Sequence, residues 1–235
     1  MKKELIEKHK QLIIETLEKT ERSGIKGLIE YMTREDFFIS PASTRFHGAE
    51  PGGLADHSWD VYNLLLEAYL NFTFLDTPLL PGQKPLPIET NNIVIAGLLH
   101  DVCKLGAYIP TPDGKNPYRW NRKQPKGHAS LSIKRIKKFI KLTELEEMMI
   151  RFHMGLYGLI EAYDENDWQK GEYHIRGDHS KDDQMTKEQS QKARYGQSLM
   201  NAWFHNPIVK LMYFCDEQAT MWNKTEYVKN NPIEG

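Results

Sequence analysis

A His-Asp pair, His100-Asp101, closes the apolar run Ile93-Val94-Ile95-Ala96-Gly97-Leu98-Leu99. Two adjacent groups of the kind that ligate metals, at the end of a helix apolar all round, are poorly explained by packing. A carboxylate is almost never fully buried unless it is paired, because stripping its water costs many kcal/mol. A cation must therefore meet Asp101, and the imidazole beside it points to a metal ion rather than to a Lys or Arg side chain. Four more side chains of ligand type stand in similar settings: His57, His128, His153 and Asp216.

Helices must position these groups, and helical phase tests whether they face the core. His57 shares a face with Val61, Leu64 and Leu65, and His100 with Ile93 and Ala96; Asp101 sits over Val94 and Gly97. His153 follows Met149 and Ile150, and Asp216 follows Val209, Met212 and Tyr213. A single inward His is usually a core histidine bonded to a carbonyl, and a single buried Asp usually caps a helix or meets an Arg. Inward imidazoles and carboxylates from several helices are instead how helical proteins build metal sites. Imidazole and carboxylate without thiolate suit Mn, Fe, Ni, Zn or Mg. Six protein ligands are too many for one catalytic ion that keeps an open position. They suffice for two divalent ions sharing a bridging carboxylate, with a hydroxide between them poised for in-line attack on phosphorus.

The apolar spacing of Leu5, Leu12, Ile13 and Leu17 predicts an amphipathic opening helix over 2–32, interrupted by Gly24 and Gly27. Residues 38–53 carry Pro41, Gly48, Pro51, Gly52 and Gly53 and read as a loop. Helices are expected at 54–71, 88–104, 128–140, 143–153 and 207–222, with a Pro-rich linker over 78–87. Tyr108-Ile109-Pro110 and Pro117-Tyr118-Arg119-Trp120 flank Asp113-Gly114 as a short hairpin. Residues 164–195 are polar and read as a surface excursion. The expected fold is all-α with a small β-hairpin insertion, in a single domain over 1–235: a helical extension at 1–36, then a core at 37–222.

The chain has 235 residues, 40% of them apolar, with 31 basic and 32 acidic side chains. Near-balanced charge provides no global field towards nucleic acid or membrane. Two cysteines, Cys103 and Cys215, do not make a disulfide scaffold and suit a reducing compartment. The first residues lack the apolar stretch of a signal peptide, and no apolar run approaches a membrane span, so a cytoplasmic protein with no membrane partner is expected.

His57, then His100-Asp101, then Asp216 resemble the H…HD…D signature of HD-superfamily metal-dependent phosphohydrolases. His128 and His153 resemble the two extra histidines of the binuclear subgroup. The local words are similar as well: Pro51-Gly52-Gly53-Leu54-Ala55-Asp56-His57, Gly97-Leu98-Leu99-His100-Asp101 and Gly127-His128-Ala129-Ser130. The nearest likeness is to the HD domain of bacterial 3′–5′ exoribonucleases, from about Arg45 to Trp222. The resemblance implies an HD-domain helical bundle. It implies that His57, His100, Asp101 and Asp216 hold one ion and that Asp101, His128 and His153 hold the other, with Asp101 bridging. Lys104 matches a Lys that contacts phosphate or orients water, so Asp101 and Lys104 are the implied catalytic pair. Arg45 and His47 match a basic segment that reaches a substrate phosphate. Cys103 stands where the family usually has Gly, and the OB-fold of the exoribonucleases has no counterpart here.

The expected function is hydrolysis of a phosphomonoester or phosphodiester of a nucleotide or short single-stranded oligonucleotide. The rivals are an HD-fold di-iron oxygenase with the same ligands and a non-catalytic nucleotide-binding module. Tyr118 and Trp120, alternating on the hairpin, are expected either to stack a base or to anchor the hairpin. Cys103 and Cys215 read as small core hydrophobes, and Lys134, Arg135, Lys137, Lys138 and Lys141 as a solvated helix face. Asp178-His179, His174, His205 and His9 carry no distinguishing context.

Overall fold

A computed structural model describes residues 2–45, 47–71, 84–111, 117–125, 127–155, 158 and 187–230. In chain order they form α1 (Lys2–Glu18), α2 (Ile25–Arg34), α3 (Gly53–Asn71) and α4 (Thr90–Leu99), then a 3₁₀ turn at Val102–Lys104. Strands β1 (Tyr108–Pro110) and β2 (Tyr118–Trp120) follow, then α5 (His128–Ile136), α6 (Glu144–Phe152), α7 (Lys187–His205) and α8 (Pro207–Asn230). The two strands pair antiparallel, Tyr108 opposite Trp120 and Pro110 opposite Tyr118, and are the one sheet among the described residues. The architecture is all-α with a small hairpin.

The apolar run becomes the centre of the bundle. Every residue of α4 from Asn92 to Leu99 is buried. It packs on α3 along one side and α6 along another, while α8 lies across both of those helices. Gly97 sets the distance between α3 and α4: a Cβ there would fall 2.8 Å from the Cα of Tyr62. Capping boxes fix two helix starts, Glu89 with Asn92 on α4 and Thr143 with Glu146 on α6. Glu146, fully buried, also accepts from Asn92 Nδ2 at 3.1 Å and meets Arg22 Nη2 at 2.6 Å. One carboxylate thus joins the α1–α2 link, α4 and α6.

Several boundaries differ from the sequence expectation. The opening helix breaks over residues 19–24, and Gly27 lies inside α2 rather than interrupting it. Gly24 is the residue the break requires: its φ is +85°, and a Cβ would fall 2.0 Å from the Phe139 carbonyl oxygen. The helix expected at 88–104 ends at Leu99, and that expected at 128–140 ends at Ile136, because apolar residues continue past both ends in turns. Ile140, in the second of these turns, is buried without being helical. The polar excursion expected at 164–195 is helical from Lys187, where α7 begins; Leu199 and Ala202 bury its inner face. The last helix runs to Asn230 rather than to 222. Residues 164–186, with His174, Asp178 and His179, lie outside the described residues, as do 78–83 and the turn at Asp113-Gly114.

Candidate metal centre

The six expected ligands come from five places in the fold and converge. His57 is in the second turn of α3, and Asp216 is in the middle of α8. His100 and His153 are the residues that cap the C-terminal ends of α4 and α6, and His128 opens α5. Successive side chains of an α-helix diverge by about 100°, so His100 and Asp101 could not aim together from a continuous helix. The chain resolves this by leaving the helix: Asp101 adopts φ −103°, ψ 15° and leads into the 3₁₀ turn. His100 Nε2 and Asp101 Oδ2 then lie 3.4 Å apart.

Around that pair, His57 Nε2 is 3.0 Å from Asp216 Oδ1, 3.3 Å from His100 Nε2 and 3.7 Å from Asp101 Oδ2. His100 Nε2 is 3.6 Å from Asp216 Oδ1. Donors that each sit about 2.1 Å from one ion are about 3.0 Å apart at right angles and about 3.4 Å apart at the tetrahedral angle. Three of these separations fall in that range, and the two from His57 to Asp101 and from His100 to Asp216 lie just beyond it. On the far side of the same carboxylate, Asp101 Oδ1 is 2.8 Å from His128 Nε2 and 3.8 Å from His153 Nε2. The donor atom of His153 also lies within 4.8 Å of those of His100 and Asp216, so the two groupings adjoin.

All six side chains are buried or nearly so, which makes their hydrogen bonds decisive. His153 Nε2 has no hydrogen-bond partner among the described residues, although an unpaired buried polar atom is costly, and Asp101 Oδ1 meets His128 alone at hydrogen-bonding distance. Meanwhile the opposite nitrogens are engaged: His100 Nδ1 donates to Gly97 O at 2.9 Å and His153 Nδ1 to Ile150 O at 2.6 Å. That arrangement turns each Nε2 towards the cluster, as metal ligation requires. The donor set and the orphaned His153 nitrogen both fit divalent cations.

The electrostatics are sharply divided. Burial disfavours the charge on His100, but Asp101 and Asp216 outweigh it and hold its pKa up to about 10. His153, buried beside cationic His100, is pushed down to about 3. Both carboxyls stay well below their usual range despite burial, Asp101 through Lys104, His100 and His128, and Asp216 through His100 and His57. His128 is raised well above its ordinary value against burial, by Cys103 and Asp101.

Contrary to the expectation that no Lys or Arg side chain would meet Asp101, Lys104 does so directly, with Nζ 2.7 Å from Asp101 Oδ2, because the 3₁₀ turn brings residue 104 back over residue 101. The His47 ring lies 5.1 Å from that of His57, and burial, Lys104 and His57 depress its pKa to about 3. Arg45 is exposed two residues earlier. Trp120 packs edge-on against Tyr108 at 5.7 Å, and Tyr108 Oη donates to Ala42 O at 3.0 Å. Trp120 is thus tied to the body through Tyr108, while Tyr118 stands opposite Pro110 on the hairpin.

Three supports were not legible as such. Cys103 is buried, and its Sγ lies 3.0 Å from His128 Nδ1, so it is more than a core filler. Arg135 is not part of a solvated face: Nη1 donates to the carbonyls of Val102, Cys103 and Leu105 at 2.8, 2.9 and 3.0 Å. Ser132 Oγ accepts from the Cys103 N–H at 3.0 Å. The missed signal was helical phase. His128, Ser132 and Arg135 stand at offsets of four and seven, on one face of α5, and that face grips the turn after Asp101. His9, expected to be featureless, pairs with Asp56 at 2.5 Å, next to His57 in sequence.

No protein-family model, curated protein or solved structure matches this chain. The site is therefore read from its own geometry: four imidazoles and two carboxylates, arranged on either side of Asp101.

Proposed function

We propose that the chain is an HD-type metal-dependent phosphohydrolase, cleaving a phosphomonoester or phosphodiester of a nucleotide or short oligonucleotide. The observation that carries this reading is the placement of Asp101, whose Oδ2 faces His57 and His100 while Oδ1 faces His128 and His153. His57, His100, Asp101 and Asp216 would hold one divalent ion, and Asp101, His128 and His153 a second. When bound, such a pair supplies Lewis-acid activation of water and neutralises charge on phosphoryl oxygens.

The remaining roles belong to the chain's own side chains. Lys104, held against Asp101, places a fixed cation where negative charge grows on a transferring phosphoryl group. His47 stays neutral and shields one side of His57. Arg45 offers a guanidinium that can bind a phosphate bidentately. A cavity of about 190 Å³ opens beside His128, with Arg151, Ser130 and Tyr195 on its walls, and gives a substrate room on the side of the second grouping.

The test is a Mn²⁺ screen of phosphodiesters, phosphomonoesters and nucleotides, with dioxygen monitored in parallel. Phosphoester cleavage without oxygen uptake is expected, abolished by Asp101→Ala and reduced about 10²-fold by Lys104→Ala. Iron-dependent oxygen uptake without cleavage would establish the oxygenase instead, and nucleotide binding without turnover by any divalent metal would establish a binding module.

A further inference from the structure

We propose that Cys103 is a positioning residue for His128 and thereby governs binding of the second ion, an inference that rests on the two-ion reading above. An imidazole ligates through Nε2 only when Nδ1 carries the proton, so whatever accepts from Nδ1 enforces ligation. For His100 and His153 the acceptors are the backbone carbonyls of Gly97 and Ile150, which can only accept. For His128 the neighbour of Nδ1 is Cys103 Sγ, at 3.0 Å, and a thiol both donates and accepts. His128 is thus set by a side chain, where those two are set by their own helices.

That side chain is itself immobilised. The Cys103 N–H donates to Ser132 Oγ at 3.0 Å, and its carbonyl accepts from Gln124 Nε2 at 2.7 Å and Arg135 Nη1 at 2.9 Å. Only 3% of the residue is exposed. The sulfur is held against one edge of the imidazole while the opposite edge, Nε2, stands 2.8 Å from Asp101 Oδ1. Beside that pair, His153 Nε2, 3.8 Å from the same oxygen, has no hydrogen-bond partner among the described residues and marks the place that edge faces. Sγ accepting a hydrogen bond from Nδ1–H keeps the proton on Nδ1 and Nε2 available on that side; without Sγ the ring keeps only its contact with Asp101 and can change tautomer. His57, His100 and Asp216 make no use of Cys103, so the first ion does not depend on it.

Calorimetric titration of the full chain with Mn²⁺ tests this, comparing wild type with Cys103→Ala and Cys103→Ser. Two binding events are expected in the wild type. Cys103→Ala should leave the tighter event within about twofold and weaken the other by about 10–100-fold. Cys103→Ser retains an acceptor and should restore most of that loss, which a merely space-filling role would not produce. Should the alanine variant fail to fold, the serine variant alone decides, since a loss of tenfold or more there contradicts the proposal. Equal weakening of both events, or a Cys103→Ala chain that binds both ions like the wild type, overturns this inference and leaves the two-ion reading standing. A wild-type chain that takes up fewer than two ions overturns both.

Discussion

At the residue scale the centre is a contest between protons and metal ions for the same lone pairs. His100, held up to about 10 by Asp101 and Asp216, and His128, raised by Cys103 and Asp101, both carry protons at pH 7 when no ion is bound. His153, pushed down to about 3, is already neutral. Ion uptake must expel the protons from His100 and His128, so apparent affinity rises with pH and falls on acidification. Between pH 6 and 8 the logarithm of total ion affinity should rise with a slope of about 2, one proton from each histidine. Calorimetry in buffers of different ionisation enthalpy counts these protons directly. A pH-independent affinity would mean that neither histidine is a ligand.

At the element scale, packing and binding separate in a way two substitutions can expose. Gly97→Ala drives a methyl against the Tyr62 backbone and pushes α3, which carries His57, from α4, which ends in His100. It should cost about 1–3 kcal/mol in urea unfolding and weaken the tighter ion event as well. Arg22→Ala leaves Glu146 buried without its cation at the start of α6, a helix length from His153. It should cost about 3 kcal/mol while leaving ion affinity unchanged. If Arg22→Ala altered ion binding as much as Gly97→Ala, the centre would report general stability rather than local geometry. The same contrast explains what was legible in the sequence. Buried α4, the hairpin and five of the six candidate ligands follow from apolar runs, turn residues and the phase of single side chains; His128 came from the local word Gly127-His128-Ala129-Ser130 instead. The ends of α4 and α5 did not, because a turn held by Arg135 and Gln124 buries apolar residues as a helix does. Helix α7 was hidden because its first half, over 187–194, is polar in sequence and its buried Leu199 and Ala202 come only in the second half. Cys103 and Ser132 escaped because their roles lie in contacts between α5 and the turn, which no single element's pattern contains.

At the scale of the whole molecule the ligands tie together segments from position 57 to position 216, so an ion bound by all of them binds the folded chain and not the unfolded one. Saturation at a hundredfold excess over Kd adds about 2.7 kcal/mol per ion. For a chain of this size that is a rise in Tm of about 5–10 °C per ion, reversed by EDTA. Absence of any shift with Mn²⁺, Fe²⁺, Ni²⁺ or Mg²⁺ would argue that Lys104 and the histidinium charges alone satisfy the carboxylates. No helix among the described residues is long and apolar enough to cross a membrane. The central claim is that Asp101 lies between two ions, and anomalous diffraction from crystals soaked in Mn²⁺ tests it most directly. Two peaks are expected, one among His57, His100, Asp101 and Asp216 and one among Asp101, His128 and His153. A map without a peak beside either oxygen of Asp101, with Lys104 still paired to it, would contradict the account.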